Sequence, residues 1–242
     1  MELFSIHRRR RWQAASALRR GDVGAVLEFV LSSRNVKKSR EVAEILAPMG
    51  IAVRSIVDFP QIGEIEEDGD TFEANAAKKA VGPAKTLGRW VIGEDSGLMV
   101  DALGGAPGVY SARFSGEGAT DDRNNEKLQD ALRGLPPEQR GAAYNCTVCL
   151  SDPEGRIRIT VSGRCRGRIG TVPRGTNGFG YDPYFLIPEY HRSFGELSSL
   201  VKHQISHRSR ALALFIGEVR RLQRSGQLTT APDLATGLAP SN

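Results

Sequence analysis

The chain of 242 residues has only three cysteines, Cys146, Cys149 and Cys165. Three thiols cannot build a disulfide framework, so the small stapled class of secreted domains is excluded and a reducing cytosol fits. Cys146 and Cys149 form a C-x-x-C, but inside residues 142–150, which read as a strand. Odd spacing on a strand sends two side chains to opposite faces, so this pair can neither clamp zinc nor close a bridge. No apolar run approaches the roughly 20 residues that cross a bilayer, so no membrane partner is expected. There is no G-x-x-x-x-G-K-[ST] phosphate loop, no internal repeat and no stretch that reads as an interdomain linker.

Excess charge is also missing from most of the molecule. The formal net charge is +5, from 33 basic and 28 acidic residues. Residues 1–26 hold six of the basic ones (Arg8, Arg9, Arg10, Arg11, Arg19 and Arg20) and two of the acidic ones (Glu2 and Asp22), which leaves 27 against 26 for the rest. The body is neutral and the basicity belongs to a leader, which argues against nucleic acid as a partner. Four readings of the leader stand side by side: a disordered extension, a translation start upstream of the true one, an organelle-targeting peptide, or a nucleic-acid arm. It lacks the apolar core of a secretory signal. Hydrophobic residues at 40% and charged residues at 25% are ordinary for a globular body of this size.

Along that body, 28–33 reads as a strand, 34–36 as a loop and 37–47 as a helix ended by Pro48 and Gly50. Arg40, Glu41 and Glu44 fall on one side of that helix, with Val42, Ile45 and Leu46 on the other. A strand, a polar loop and a helix N-terminus can receive phosphate through free backbone N–H groups, and this loop adds Ser33, Asn35, Lys37 and Lys38. An ordinary turn with solvated lysines is the alternative. A β-run follows at 51–57. Glu64, Glu66, Glu67, Asp68, Asp70 and Glu73 then crowd six carboxylates into ten residues with no base among them. Asp70 and Glu73 fit an N-cap and first-turn acid for a helix over 74–87. Glu66 and Glu67 remain as oxygen ligands for a hard cation or as members of a solvated acidic loop.

Residues 90–94 read as a short buried strand that delivers Asp95 and Ser96 at its C-terminal end, where ligands of open α/β sheets bind. An irregular segment, a helix over 121–132, and a hairpin of 144–151 with 156–162 follow. The last helix spans 206–224, and the tail from Gly226 to Asn242 is small, polar and expected to fray. Between the hairpin and that helix lies the most informative stretch. Gly175-Thr-Asn-Gly-Phe179-Gly180-Tyr181-Asp182-Pro183 offers stacking faces and one carboxylate, and Ser206-His207-Arg208 sets an imidazole beside a guanidinium at a helix start. Together they suit a flat heterocycle read at its edge by hydrogen bonds.

Ser33-x-Asn35-x-x-Lys38, Glu66-Glu67-x-Gly-x-Thr71-Phe72, Asn75-Ala, Glu94-Asp95-Ser96-Gly97-Leu98, Gly104-Gly-Ala-Pro-Gly-Val-Tyr-Ser-Ala-Arg113, Gly178-Phe-Gly-Tyr-Asp-Pro183 and Ile205-Ser-His-Arg208 occur in one order over about 27–222. In this the chain resembles the inosine/xanthosine triphosphate pyrophosphatases. The resemblance implies a mixed α/β fold with a long curved sheet and flanking helices, with 27–225 as one domain of two lobes around a central cleft. It implies a Mg²⁺-dependent homodimer in the cytoplasm that splits non-canonical purine nucleoside triphosphates to monophosphate and pyrophosphate. The matching positions imply Asp95 as the catalytic carboxylate. Glu66 or Glu67 together with Asp95 would hold the metal. Ser33, Arg34, Asn35, Val36, Lys37, Lys38, Lys79 and Ser96 would line the triphosphate. Phe179, Gly180, Tyr181, Asp182, Lys202, His207 and Arg208 would line the base. Donor-only Lys202 and Arg208 would welcome a 6-keto oxygen and reject the adenine amine, although a guanidinium suits phosphate as well. Asp182 would accept from the ring or hold Lys202. Two departures stand out: Ala74 where many members carry Glu, and Glu94 before Asp95 where others carry Asp. A non-catalytic nucleotide sensor is the rival reading, and it would be expected to lose the metal carboxylates that this chain retains.

Overall fold

The apolar run Leu27–Leu31 forms β1, whose near-continuous burial is that of a strand covered on both faces. It pairs in parallel with β2 (Ile51–Ser55) on one side and β3 (Val91–Val100) on the other. Between β1 and β2 the chain turns through α1 (Val36–Leu46), capped by Asn35, whose Oδ1 accepts from Lys38 N at 3.1 Å. The computed structural model describes residues 27–228, so the leader and the tail from 229 onward lie outside the described residues.

Several sequence expectations are corrected here. The helix α2 (Phe72–Leu87) is capped by Thr71, not Asp70: the Thr71 hydroxyl accepts from Ala74 N at 3.1 Å. Asp70 lost to a neighbour with the same local chemistry. The strand expected to stop at Glu94 runs on to Val100, so Asp95 sits mid-strand opposite Thr147 rather than at a strand end. Its length is imposed by β4 (Gly141–Ser151), which pairs antiparallel along all ten residues of β3. β4 pairs in turn with β5 (Ile157–Ile169), both longer than the expected hairpin arms. Short β6 (Phe185–Ile187) and β7 (Arg192–Ser193) complete a seven-stranded mixed sheet of order β2-β1-β3-β4-β5-β6-β7. The helices α3 (Asp121–Ala131), α4 (Ser199–Ile205) and α5 (His207–Arg224) complete the described elements.

One face of the long strands feeds two cores. At one end, Phe29, Leu31, Ile92, Cys146, Val148 and Leu150 pack under α1 and under Leu212, Phe215 and Val219 of α5. At the other, Leu98, Val100, Ala142 and Tyr144 pack with Leu128, Phe185 and Phe194. On β3 the polar pair Glu94 and Ser96 falls between the two cores. The opposite face of the sheet carries α2 at very close range: a Cβ on Gly93 would lie 2.0 Å from the Ala76 carbonyl oxygen. Cys149 packs there against Ala76 and Ala80, away from Cys146, as strand parity requires. The tail expected to fray from Gly226 is packed at its start, since Leu228 joins the first core and Gln227 Oε1 accepts from Arg158 at 2.8 Å. Among the described residues no helix is long and apolar enough to cross a membrane.

Candidate active site

Strand alternation makes β3 the hinge of the site, because Glu94 and Asp95 leave the same backbone toward opposite faces. Asp95 turns toward α2. Its Oδ1 accepts from Lys79 Nζ at 3.0 Å, and its Oδ2 from Asn75 Nδ2 at 3.3 Å. Lys79 lies one turn along α2 from Asn75, so the glycine-permitted contact at Gly93 brings both to the carboxylate. The same ammonium reaches Glu67 Oε2 at 2.7 Å and the Glu94 carbonyl at 3.3 Å. Burial pushes the Asp95 carboxyl above its ordinary value against the opposing pull of Lys79 and Lys38. Burial alone would lower Lys79, but Asp95 and Glu67 outweigh it and hold the ammonium protonated. Asp95, Lys79 and Glu67 line a charged chamber of about 240 Å³ together with Ser33, Arg34, Lys38 and Arg113.

Glu94 turns the other way and meets Arg208, which is almost wholly buried at 1% exposure. Arg208 Nε donates to Glu94 Oε2 at 3.3 Å, and Nη2 to Glu94 Oε1 at 3.1 Å and to Ser96 Oγ at 3.3 Å. Its Nη1 donates to Glu41 of α1. Lys202 Nζ bridges Glu41 at 2.9 Å and Asp182 at 2.8 Å. Burial would raise the Glu94 carboxyl, but Arg208 and Lys38 reverse it and hold it well below the usual carboxylate range. Asp182 is pushed up by burial, with Lys202 opposing. Its Oδ2 also accepts from Phe179 N at 2.9 Å across a turn that only glycine permits at 178, where φ is +78° and a Cβ would stand 2.0 Å from that oxygen. Asp182 thus holds Lys202, one of the two roles open to it.

This ladder of ion pairs, Asp182–Lys202–Glu41–Arg208–Glu94, contributes Asp182, Lys202 and Arg208 to one wall of a second, more apolar chamber of about 110 Å³ lined also by Tyr144, Phe179, Gly180, Tyr181 and His207. The His207 ring stacks on Tyr144, with centroids 4.7 Å apart and planes 13° apart. Burial, then Arg208 and Lys202, depress His207 well below its ordinary value, so it is neutral at pH 7, and its Nδ1 has no hydrogen-bond partner among the described residues. Lys202 Nζ lies 4.9 Å from the Phe179 ring centroid. Asn35, Lys38, Ser96 and Ala112 line both chambers and join them.

Most of the residues singled out from sequence therefore meet. Ser33, Arg34, Asn35, Lys38, Lys79, Asp95, Ser96, Phe179, Gly180, Tyr181, Asp182, Lys202, His207 and Arg208 line one chamber or both. Val36, Lys37 and Glu66 line neither; Val36 is exposed, and Lys37 Nζ approaches only the Phe179 ring, at 5.9 Å. Between the two acidic candidates, Glu67 lines the charged chamber and Glu66 does not. Sequence reading missed Glu41, Asn75, Tyr144 and Arg113 as site residues and treated Glu94 only as a charge-keeping departure. Arg113 lines the charged chamber and donates to the Glu67 carbonyl at 2.7 Å. Glu41 stood on the polar side of its helix, and nothing local distinguishes an acid that meets solvent from one that meets Arg208, 167 positions away.

Fold and site together define a mixed α/β protein in which β3 separates a charged chamber from an aromatic one. The chain belongs to the Ham1 family, whose model matches residues 29–218. It is 53% identical over 200 residues to a dITP/XTP pyrophosphatase of Rhodopirellula baltica, covering 83% of this chain and 96% of that one. It is 50% identical over 186 residues to a protein of the same name from Geobacter sulfurreducens, covering 77% and 93%. Among solved structures, a HAM1 protein from Coxiella burnetii superposes with TM-score 0.73 at 38% identity, over 81% of this chain and 99% of that one. The nucleoside-triphosphatase / dITP/XTP pyrophosphatase of Mycobacterium abscessus gives TM-score 0.64 at 41% identity, over 78% and 97%.

Proposed function

We propose that this protein hydrolyses non-canonical purine nucleoside triphosphates, those of inosine and xanthosine and their deoxy forms, to the monophosphate and pyrophosphate. The observation that carries this is the joining of the two chambers at Ser96 and Lys38: the aromatic one suits a purine, and the charged one suits the phosphates with a carboxylate beside them. Water attacks the α-phosphorus, its proton goes to the Asp95 carboxylate, and the bridging oxygen leaves with pyrophosphate. A carboxyl raised by burial and oriented by Lys79 and Asn75 is a better base than a solvated one. Lys38, Lys79, Arg34 and Arg113 neutralise phosphate charge, which is most of what such a reaction asks of a protein.

The donor set fits Mg²⁺. Glu67 and Asp95 converge on one point, the Lys79 ammonium, and no group of three or more His, Cys, Asp or Glu is set to cage a metal among the described residues. Two carboxylates completed by water and phosphate oxygens are the usual protein share for this ion. Bound there, it would offset phosphate charge and fix the triphosphate in line. Phe179 would stack on the base, and Lys202 and Arg208 would face its keto edge. The presence of Asp95 and Glu67 in the chamber favours hydrolysis over mere nucleotide sensing. The reading extends to a homodimer, which sedimentation would test. Pyrophosphate release from inosine triphosphate, compared with adenosine triphosphate and with and without Mg²⁺, tests the whole. Release that ignores the metal, or that is fastest with adenosine triphosphate, would overturn it.

A further inference from the structure

Ser32 follows directly on β1, and its backbone N–H continues the sheet by donating to the Ile92 carbonyl at 2.8 Å. Val30, two residues earlier, packs with Val91 and Ala84 on the α2 side of the sheet. Alternation sends Ser32 to that same side, the side on which Asp95 meets Lys79. Ser32 is 4% exposed and lines the charged chamber. Its Oγ has no hydrogen-bond partner among the described residues.

That makes it unlike its neighbours. The adjacent Ser33 Oγ already accepts from Asn35 N at 3.2 Å. Both Asp95 oxygens and the Lys79 ammonium are engaged. Of the four buried side-chain atoms without a partner among the described residues, Ser32 Oγ is the one whose residue lines the charged chamber. A buried hydroxyl left unpaired costs free energy, and a small residue there would avoid that cost without loss of packing. In a chamber whose carboxylates are joined by Lys38, Lys79, Arg34 and Arg113, the ligand group that an orphan donor suits is an anionic oxygen such as a phosphate carries.

We infer that Ser32 is a substrate-contacting residue whose hydroxyl donates to a non-bridging phosphate oxygen that departs with pyrophosphate. Ser32 lines the charged chamber and not the aromatic one, so its contact belongs to the triphosphate rather than to the base. The inference rests on the pyrophosphatase reading above.

The test compares the full chain with its Ser32→Ala variant in three measurements: thermal midpoint without ligand, affinity for magnesium pyrophosphate by calorimetry, and steady-state hydrolysis of inosine triphosphate. The variant should keep the wild-type midpoint, bind pyrophosphate about 10-fold more weakly, and lose kcat/KM by a similar factor, as fits one hydrogen bond to a charged acceptor. Unchanged pyrophosphate affinity with a lowered kcat would overturn the phosphate contact in favour of water positioning. A fallen midpoint or a failure to fold would make the hydroxyl structural and overturn it too. If the wild type neither hydrolyses inosine triphosphate nor binds pyrophosphate, the pyrophosphatase reading itself falls and takes this inference with it. Wild-type activity with an indistinguishable variant sinks the Ser32 assignment alone.

Discussion

Asp95 and Arg208 show how differently two charged side chains can serve neighbouring chambers. Asp95 is a carboxyl that burial has made more basic, within reach of an ammonium and a carboxamide. Asp95→Asn should keep the fold and lower turnover by about two to four orders of magnitude, the usual worth of a positioned base. Retention of more than about a tenth of the rate would remove Asp95 from that role. Arg208 is another matter. Its guanidinium is tied to Glu94, Glu41 and Ser96, so truncation strands the buried Glu94 carboxylate and leaves Glu41 with Lys202 alone. Arg208→Ala should therefore cost about 3–5 kcal/mol of stability, the penalty of an uncompensated buried charge, before any effect on base selectivity appears. Chemical denaturation measures it, and a loss below about 1 kcal/mol would mean that the ladder is not what holds these elements.

At the scale of elements, α1, β3, α4 and α5 share no backbone hydrogen-bonded ladder, yet Glu41, Glu94, Lys202 and Arg208 bind them into one unit. Both carboxyls sit below their ordinary value of 4.5 in the folded chain. A depressed folded value means that the contribution is complete above the unfolded value and is lost as pH falls toward the folded one. The thermal midpoint should thus be flat near neutrality and fall below about pH 4.5, and Glu94→Gln should lower it at pH 7 while flattening the acid limb. A wild-type midpoint that holds steady down to pH 3 would show that these pairs contribute nothing net. Element boundaries were legible where punctuation is local: Asn35 and Ser206 directly precede α1 and α5, and Gly50 closes the 3-10 turn Ala47–Met49 that follows α1. The extent of β3 was not, because its last six residues are strand only by virtue of β4.

For the molecule as a whole, the family match runs over 29–218 and the described fold begins at Leu27. A chain that starts at Leu27 should accordingly keep the activity and thermal midpoint of the full one. A drop in either, measured side by side, would mean that residues 1–26 contribute to the body after all.

By itself the sequence determined which chemistry is present: a glycine-hinged aromatic loop, a capped loop of Ser33 to Lys38, an acidic run, and Asp95 two positions from Gly93. These are legible because glycine freedom, capping and strand parity act within a few residues. Only the tertiary structure decided the partners. It put Glu67 rather than Glu66 in the chamber, set Asp182 on Lys202, brought Glu41 to Arg208, and left the buried Ser32 hydroxyl without a partner among the described residues. The reason is physical: the worth of a buried charge or hydroxyl is set by whatever else has been buried beside it, and those neighbours come from strands and helices far apart in the chain.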